Sequence, residues 1–583
     1  MGPDDDHVYC FGPFELELRE RTLKREGKIV PLTPKAFETL SLLVQHSGRV
    51  LEKDQMMSTI WPDSFVEEAT LAQNIFTLRR VLGETPDQAH YIETVPRRGY
   101  RFSAKVEKIQ PAGAHLTHGP REPGGPAATS IAVLPFKTLS GDAGSEYFGL
   151  GMADALITKL SNIGGIAVRP TSAVLKYNTQ DHDLGAAGRE LRVQMALDGI
   201  VQIQDDRIRV TVQLVNLQAE APLWADTFDE KFSDVFAVQD AISQRVVDAL
   251  TLELTNDERR LLTKLHTTNS EAYRNYIKGR YLWSKWTEEG FKKSMAFFQR
   301  AIRMEPDYAL PYAGLADIYS SLGFYGYLRP DQAMPEVKAM AERALRLDNQ
   351  LAEARLPLAA ALFLYDWNWK LAEREFIGTI EANPSYAQAH QVYGLFLTAM
   401  KRFDEASERL KIALEFDPVS PLIKTTAGFP YYYSERYDLA IEQYRNTLEE
   451  DPDFALAHVS LGDVYLQLGD YPNAIAEYQR AIAEGGEKLA QPYLGYAYAV
   501  SGSVSKAKEI LEKLEQASTA QYVEPLSMAI VCAGLGARDA AFDWLEKAYE
   551  VRCNKLVFLN VQPVFKDMRS DPRLRNLLKR IGF

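Results

Sequence analysis

The sequence predicts a multidomain protein in three parts: an α+β domain, an α/β domain and an all-α helical solenoid, in that order. Three observations carry this prediction. Short alternating apolar runs precede three helical patterns before residue 108, strand-like alternation returns between residues 130 and 262, and a 34-residue repeat runs through the remainder. A chain of 583 residues is also too long for a single hydrophobic core, so several domains are expected.

The bulk composition indicates a globular protein that works in a reducing compartment. Hydrophobic residues make up 46% of the chain and charged residues 25%. The cysteines Cys10, Cys532 and Cys553 are far apart and lack metal-binding spacing, which argues against a disulfide framework. The acidic start lacks the apolar core of a signal peptide, and the most apolar run, Leu356 to Tyr365, is about half a membrane span. We therefore expect a cytoplasmic protein without a membrane segment.

Residues 1–108 have the element order of a small α+β domain. Residues 8–31 alternate as strands around a turn at residues 26–27, Thr33-Pro34 is typical of a helix start, and Gly48 is typical of a helix end. Two further helices are predicted at about residues 53–61 and 67–82. Residues 91–102 then indicate a β-hairpin with a basic tip.

This order, with the segments LTPKAFETLSLLVQHSG, IFTLRRVLG and TVPRRGYRF, resembles the winged-helix effector domain of the OmpR/PhoB type and its ToxR/CadC-like branch. The resemblance implies a double-stranded DNA partner, with the third helix in the major groove and the hairpin, or wing, at the minor groove or backbone. Family members often carry further arginines in the third helix where Phe76 and Thr77 stand here. We therefore expect the affinity of a single domain for DNA to be low.

The third helix has one apolar face and one polar face. Leu71, Ile75, Leu78 and Leu82 form an apolar stripe that we expect to face the core. Gln, Asn and Thr side chains suit base edges in the major groove, and Arg suits guanine or phosphate. The candidate DNA-contacting residues on the rest of the helix and in the wing are Thr70, Gln73, Asn74, Thr77, Arg80, Thr94, Arg97 and Arg98.

The local charge fits this assignment although the whole chain is acidic, with a formal charge of −13. Between Ala69 and Lys108 seven cations outnumber four acids, so a cationic face is expected where phosphate binding needs one. Tyr100 and Phe102 are expected to anchor the wing to the core.

The repeated part, residues 270–583, is predicted to be a solenoid of helix pairs. Four alanines lie 34 residues apart, a bulky apolar residue follows each by four, and glycines and prolines keep the same period. Small residues allow helices to approach, bulky residues fill the gaps, and proline ends a helix. The residues that carry the period are Ala372, Ala406, Ala440, Ala474, Phe376, Leu410, Tyr444, Tyr478, Gly394, Gly428, Gly462, Pro384, Pro418 and Pro452.

This pattern resembles the tetratricopeptide repeat, which implies a protein or peptide partner. Residues 571–578 predict a final helix that caps the solenoid. Tyr431, Tyr432 and Tyr433 could line a peptide groove or pack between helices, and the packing interpretation is favoured.

Residues 109–129 are rich in Pro, Gly and Ala and predict a flexible linker with a reach on the order of 25 Å. Residues 130–262 then predict an α/β domain, with a strand at residues 131–136, a helix at about 148–160 and a hairpin turn at Asp205-Asp206. The segments SIAVLPF and RIRVTVQLV resemble the TolB-like domain that precedes tetratricopeptide arrays in some bacterial regulators and cyclases. That resemblance implies an architecture and no defined activity.

A dinucleotide-binding turn at Gly149-Leu150-Gly151 is the alternative to a plain helix start in this domain. Asp154 stands where a third small residue is needed, and its carboxylate would repel a pyrophosphate, so the helix start is favoured. His115 and His118 lie in the linker without further ligands. The chain carries no Walker loop, GxSxG, HExxH or paired-carboxylate motif, and we expect no enzyme, cofactor or metal site.

The preferred functional hypothesis is a one-component, sequence-specific DNA-binding transcriptional regulator. Its repeats and middle domain would receive a cytoplasmic signal or partner, and a dimer on DNA is left open. The rival hypothesis is a tetratricopeptide interaction scaffold whose winged helix docks protein rather than DNA.

Overall fold

The chain forms two compact units, Met1–Ala127 and Ala128–Phe583. The linker is predicted at residues 109–129. Residues 110–128 of it fall outside the described residues, and residues 109 and 129 belong to strands. The computed structural model describes residues 8–17, 22–25, 28–30, 32–60, 68–82, 91–95, 98–104, 106–109, 129–139, 146–163, 165–178, 183–204, 206–252, 254–264, 266–283 and 287–583.

Within its described residues the first unit has two antiparallel sheets and three helices. The sequence predicts the three helices, the strands of residues 8–31 and the hairpin of residues 91–102, but not the strands Val50–Glu52 and Glu107–Ile109. One sheet has the strand order β4-β3-β2-β1-β8 and the other has the order β5-β7-β6. The strands are β1 (Val8–Phe11), β2 (Phe14–Glu17), β3 (Thr22–Arg25), β4 (Lys28–Val30), β5 (Val50–Glu52), β6 (Ile92–Val95), β7 (Gly99–Phe102) and β8 (Glu107–Ile109). The helices are α1 (Pro34–Gln45), α2 (Lys53–Ile60) and α3 (Glu68–Val81).

Local chemistry sets the ends of α1. The Thr33 hydroxyl accepts a hydrogen bond from the Ala36 amide at 3.4 Å, and Pro34 occupies the first helical turn, where an amide donor is not needed. After the helix, Gly48 has a φ of 81°, a backbone conformation that favours glycine. The predicted start of this helix is confirmed, whereas its end lies at Gln45, three residues before Gly48.

Aromatic residues from distant strands form the centre of the first unit. The rings of Phe11 and Phe102 pack edge to face with centroids 5.0 Å apart, and Phe14 stacks on Phe11 at 5.7 Å. The apolar stripe of α3 packs into the same core, where its four side chains are buried. Burial of this stripe fixes which face of α3 points outward.

The second unit begins with a mixed sheet of order β11-β9-β12-β13-β14, to which β10 adds in parallel beside β12. Its strands are β9 (Thr129–Val133), β10 (Lys137–Leu139), β11 (Ile166–Val168), β12 (Met195–Gln204), β13 (Arg207–Asn216) and β14 (Ala221–Lys231). Its helices are α4 (Glu146–Leu160), α5 (Thr171–Val174), α6 (Leu184–Leu191), α7 (Val235–Ala249) and α8 (Asn256–Leu262). The register pairs Gln204 with Arg207 across the hairpin that the sequence predicts.

The glycines at the start of α4 serve close packing. A Cβ atom on Gly149 would lie 1.8 Å from the Phe136 carbonyl oxygen, and one on Gly151 would lie 2.9 Å from the Ile277 Cβ. The Asp154 carboxylate accepts a hydrogen bond from the Thr171 hydroxyl at 2.7 Å and pairs with Arg280 at 2.9 Å. These contacts use the glycines and the carboxylate internally and favour the helix-start interpretation.

The remainder of the second unit is helical, in agreement with the predicted solenoid. Its helices are α9 (Ser270–Trp283), α10 (Glu288–Met304), α11 (Ala309–Phe324), α12 (Pro330–Leu347), α13 (Ala352–Ala361), α14 (Trp369–Ala382), α15 (Ala387–Ala399), α16 (Phe403–Phe416), α17 (Pro421–Ala427), α18 (Phe429–Tyr433), α19 (Tyr437–Glu450), α20 (Ala455–Gln467), α21 (Tyr471–Ala483), α22 (Glu487–Val500), α23 (Val504–Ser518), α24 (Pro525–Gly534), α25 (Arg538–Glu550) and α26 (Pro572–Ile581).

The small residues of the repeat lie where helices approach most closely. A Cβ atom on Gly428 would lie 2.2 Å from the Tyr444 ring, and one on Gly462 would lie 2.8 Å from the Tyr478 ring. Ala440 is fully buried in the same layer. The tyrosine of one helix therefore fills the space left by the missing side chain on its neighbour.

The end of the array folds back on earlier repeats. The Phe558 ring stacks on Tyr433 at 5.8 Å, and the Asn554 amide donates to the Gly323 carbonyl at 3.2 Å. The predicted capping helix is α26, and beyond it the Gly582 carbonyl accepts from the Trp369 indole at 3.0 Å. Since Tyr432 is buried and Tyr433 is covered by Phe558, the packing interpretation of the tyrosine run is favoured over an open peptide groove.

The sheet of the second unit is docked on the array through a buried arginine. The Arg169 guanidinium donates to the carbonyls of Leu191 and Arg192 in its own domain, at 2.8 and 2.7 Å. It also donates to the carbonyls of Glu415 and Phe416, at 2.8 and 2.9 Å, where α16 ends. The predicted boundary at residues 262–270 therefore falls inside one compact unit.

Candidate DNA-binding surface

The outward face of α3 carries exposed polar side chains at helical spacing. Gln73 and Arg80 are exposed, as the sequence predicts for residues opposite the apolar stripe, and Thr70 is exposed as well. Thr77 is half-buried, and its hydroxyl donates to the Gln73 carbonyl at 2.9 Å. This arrangement leaves the Gln73 amide and the Arg80 guanidinium as the principal outward donors of the helix.

Asn74 occupies a different position from the one that the sequence predicts. Its side-chain amide donates to the Thr39 hydroxyl of α1 at 3.3 Å, and the residue is half-buried. Thr39 is fully buried. The Asn74 side chain therefore connects α3 to α1 instead of extending outward toward a base, because its position on the helix borders the buried stripe.

The strands β6 and β7 form the wing beside α3. Gly99 lies so close to β5 that a Cβ atom there would be 1.8 Å from the Leu51 carbonyl oxygen. Tyr100 and Phe102 are buried, which confirms their predicted role as anchors. Arg98 is exposed at the turn, where its amide donates to the Val95 carbonyl at 3.1 Å. Arg97, the other predicted arginine of the tip, lies outside the described residues.

Arg79 joins the helix to the wing. Its guanidinium donates to the Ile92 carbonyl and to the Thr94 hydroxyl, both at 2.8 Å. The exposed Thr94, predicted as a DNA contact, therefore has an internal partner as well. This contact holds the wing at a fixed distance from α3.

Two of the seven cations counted in the sequence are engaged within the domain. Arg79 is engaged with the wing, and Arg101 pairs with Glu93 at 2.6 Å within it. The side chains of Lys105 and Lys108 fall outside the description. In the part of the domain that is described, Arg80 and Arg98 remain as exposed cations of α3 and the wing. Counting charges along the sequence could not separate these two groups of arginines.

Phe76 is the most prominent exposed apolar residue of α3. Its side chain is 62% exposed. It follows Gln73 by three residues and precedes Arg80 by four, so the three side chains share one face of the helix. The same spacing was available in the sequence and is the signal that could have identified Phe76.

The described residues form a surface cleft but no cluster of metal-binding side chains. Within the described ranges, no group of three or more His, Cys, Asp or Glu side chains is placed to hold a metal ion. A surface cleft of about 150 Å³ lies between α16 and the end of the array and is lined by Lys401, Tyr433 and Arg569. The helices in the described part of the chain include none that is long and apolar enough to cross a membrane.

Comparison with protein families gives one match for each part of the chain. The model "Transcriptional regulatory protein, C terminal" matches residues 27–102. The model "HilA/YgeH-like transcriptional regulator, second domain" matches residues 127–245, and a tetratricopeptide repeat model matches residues 431–488. The TolB-like resemblance of the middle domain stays a prediction, because the matching model bears another name.

Relatives of known description include both regulators and a cyclase. Transcriptional regulator HilA of Salmonella typhi is 24% identical over 444 residues, which cover 75% of this chain and 76% of that protein. Transcriptional activator CadC of Escherichia coli (strain K12) is 35% identical over 85 residues, 14% of this chain and 17% of that protein. Putative adenylate cyclase 3 of Rhizobium meliloti (strain 1021) is 29% identical over 252 residues, or 43% of this chain.

The alignment with the cyclase spans 42% of that protein, less than half of its length. The regulator relatives favour a chain that is not an enzyme, and the cyclase name concerns that relative alone. Two of these relatives are named as transcriptional regulators, and the predicted resemblance of this chain to OmpR/PhoB-type regulators with tetratricopeptide repeats is confirmed.

Proposed function

We propose that this chain is a sequence-specific DNA-binding transcriptional regulator whose second unit receives the controlling signal. The observation that carries the proposal is the outward face of α3, where Gln73 and Arg80 are exposed beside the exposed Arg98 of the wing. An amide can pair with an adenine edge, and a guanidinium can pair with guanine or phosphate. The family match of residues 27–102 and the regulator relatives also support a DNA-binding function.

The signal-receiving role rests on the architecture of the second unit. Its sheet and its helical array are joined by the buried Arg169 contact, so a ligand that binds either part can act on both. In the described part of the array, the Tyr433 ring is covered by the Phe558 ring of the same chain. We therefore place a protein or peptide partner elsewhere on the array.

The remaining features are proposals of the same kind. The cysteines Cys532 and Cys553 are free and buried, which fits a reducing cytoplasm. Dimerisation on DNA would give two half-sites about 10 base pairs apart, or a multiple of that spacing. We propose no catalytic activity and no cofactor.

Selection from a random duplex library tests the proposal on the full-length protein. The wild type is expected to enrich one motif and to bind it less tightly as salt rises. The double variant R80A/R98A removes two phosphate-reaching cations, so the slope of log K against log salt should fall by about 1.8 if each arginine neutralises one phosphate. The matched control R259A/R260A removes two exposed cations of α8 and should leave both affinity and slope unchanged.

A specific observation favours the rival hypothesis of a protein-docking winged helix: the exposed Phe76 and the small number of exposed cations near it. Under that hypothesis the wild type enriches no motif, and R259A/R260A weakens any DNA binding as much as R80A/R98A does. That pair of results would refute the DNA-reading function.

A further inference from the structure

We propose that Phe76 is a specificity-determining residue whose ring packs on the C5 methyl group of a thymine in the major groove. The inference rests on the proposed function and adds the base that this residue selects.

The exposure of Phe76 is unusual in this chain. At 62%, it is the largest value among the exposed large hydrophobic side chains of the described residues. The unit has a well-formed aromatic core in which a phenylalanine can be buried, as Phe11 and Phe102 are. Position 76 on the outward face of α3 keeps the ring in water, where it contributes nothing to the stability of the fold.

The side chains that share a helix face with Phe76 are ones that can contact DNA, so its ring lies where it can reach a base edge. Gln73 and Arg80 lie on the same face, before and after it, and both carry groups that pair with bases or phosphates. A ring between them enters the groove whenever those two side chains do. The thymine methyl is the one apolar group that the major-groove edges of the four bases present, and Phe is among the side chains that contact it.

The engagement of two arginines inside the domain adds to the argument. Arg79 and Arg101 have partners within the domain, so among the described residues of the helix and the wing Arg80 and Arg98 are the exposed cations. Contacts that do not depend on charge add to the affinity that such cations supply. Burial of an aromatic ring against a methyl group supplies such a contribution.

Replacement of thymine by uracil in the selected duplex tests the proposal. Deoxyuridine keeps Watson–Crick pairing and removes only the C5 methyl group. With the full-length protein and the duplex enriched from the random library, one dT→dU change should weaken binding about fourfold, the factor that corresponds to about 0.8 kcal/mol for one buried methyl group. Changes at the other thymines should have no effect.

The variant Phe76→Ala completes the test. This variant should bind the thymine duplex at least about fourfold more weakly than the wild type does. The dT→dU change that weakens wild-type binding should not weaken binding by the variant any further. Its melting temperature should equal that of the wild type because the side chain is exposed. Phe324→Ala, which removes an exposed phenylalanine from the second unit, is the matched control and should behave as the wild type.

Three results would overturn the proposal, and they differ in what they say of the function. If the wild type enriches a motif but no dT→dU change alters its affinity, Phe76 does not contact a methyl group and the DNA-reading function stands. If the wild type enriches no motif, the function and this inference fail together. A Phe76→Ala protein that retains the uracil sensitivity also contradicts the inference.

Discussion

Arg169 is the residue whose loss should most clearly separate the sheet of the second unit from its helical array. Its guanidinium is the donor for four carbonyl oxygens, two on each side of the junction, at 2.7–2.9 Å. Burial lowers the pKa of this guanidinium to about 10, which leaves it charged at neutral pH. Arg169→Ala would leave all four carbonyls without this partner.

The magnitude follows from those four bonds. A hydrogen bond to a charged group contributes about 1.5–3 kcal/mol, and the desolvation of the guanidinium and the entry of water into the vacated space offset part of the sum. We expect Arg169→Ala to lower the free energy of unfolding of the second unit by about 2–4 kcal/mol. Arg169→Lys should recover less than half of that loss, because an ammonium group cannot reach carbonyls on both sides at once.

Urea unfolding of the full-length protein, followed by far-ultraviolet circular dichroism, measures this effect. The control Arg189→Ala removes an exposed arginine of the same domain and should change the free energy by less than about 0.5 kcal/mol. The transition of Arg169→Ala should shift to lower urea. A shift no larger than that of Arg189→Ala would refute the claim that this contact holds the sheet and the array together.

Three further predictions concern base reading, repeat packing and pH. Gln73→Ala should relax sequence preference by about 1–3 kcal/mol while salt-dependent binding to random DNA is retained; equal weakening on every duplex would make Gln73 a positioning residue. Ala440→Phe should overpack the buried repeat layer, lower the free energy of unfolding of the array by about 1–3 kcal/mol and lower its melting temperature. The affinity for DNA should be unchanged, so loss of DNA binding with a folded array would contradict the modular account. Burial raises the pKa of Asp463 to about 7, so the contribution of this carboxyl group to the stability of the fold is complete below pH 4 and is lost as the pH rises through 7. The melting temperature of Asp463→Asn should therefore fall less between pH 5 and 8 than that of the wild type. An equal fall in the two proteins would count against this assignment.

Local patterns in the sequence predicted the elements of the first unit because their signals are local. Thr33 and Pro34 start a helix through contacts within one turn, and the stripe at Leu71, Ile75 and Leu78 fixes the orientation of α3 by its spacing alone. The 34-residue period likewise predicted the solenoid, since each glycine of the period has its bulky partner in the neighbouring helix.

Contacts between distant residues account for what the sequence could not show. Asn74 is held by Thr39, 35 residues earlier, and the sequence contains no signal for that pairing. The same holds for the docking of Arg169 on the end of α16, and for the stacking of Phe558 on Tyr433. Which of several similar arginines is engaged and which is exposed depends on such pairings, so the candidate site could be located from sequence but its members could not be ranked.

Methylation protection of guanine N7 atoms in the selected duplex tests the central claim most directly, because these atoms lie on the floor of the major groove. With the full-length wild type bound to the duplex, we predict that guanine N7 atoms within the motif are protected from methylation. The control R259A/R260A should give the wild-type pattern. A stable complex in which every guanine N7 of the motif remains as reactive as in free DNA would show that α3 does not enter the major groove.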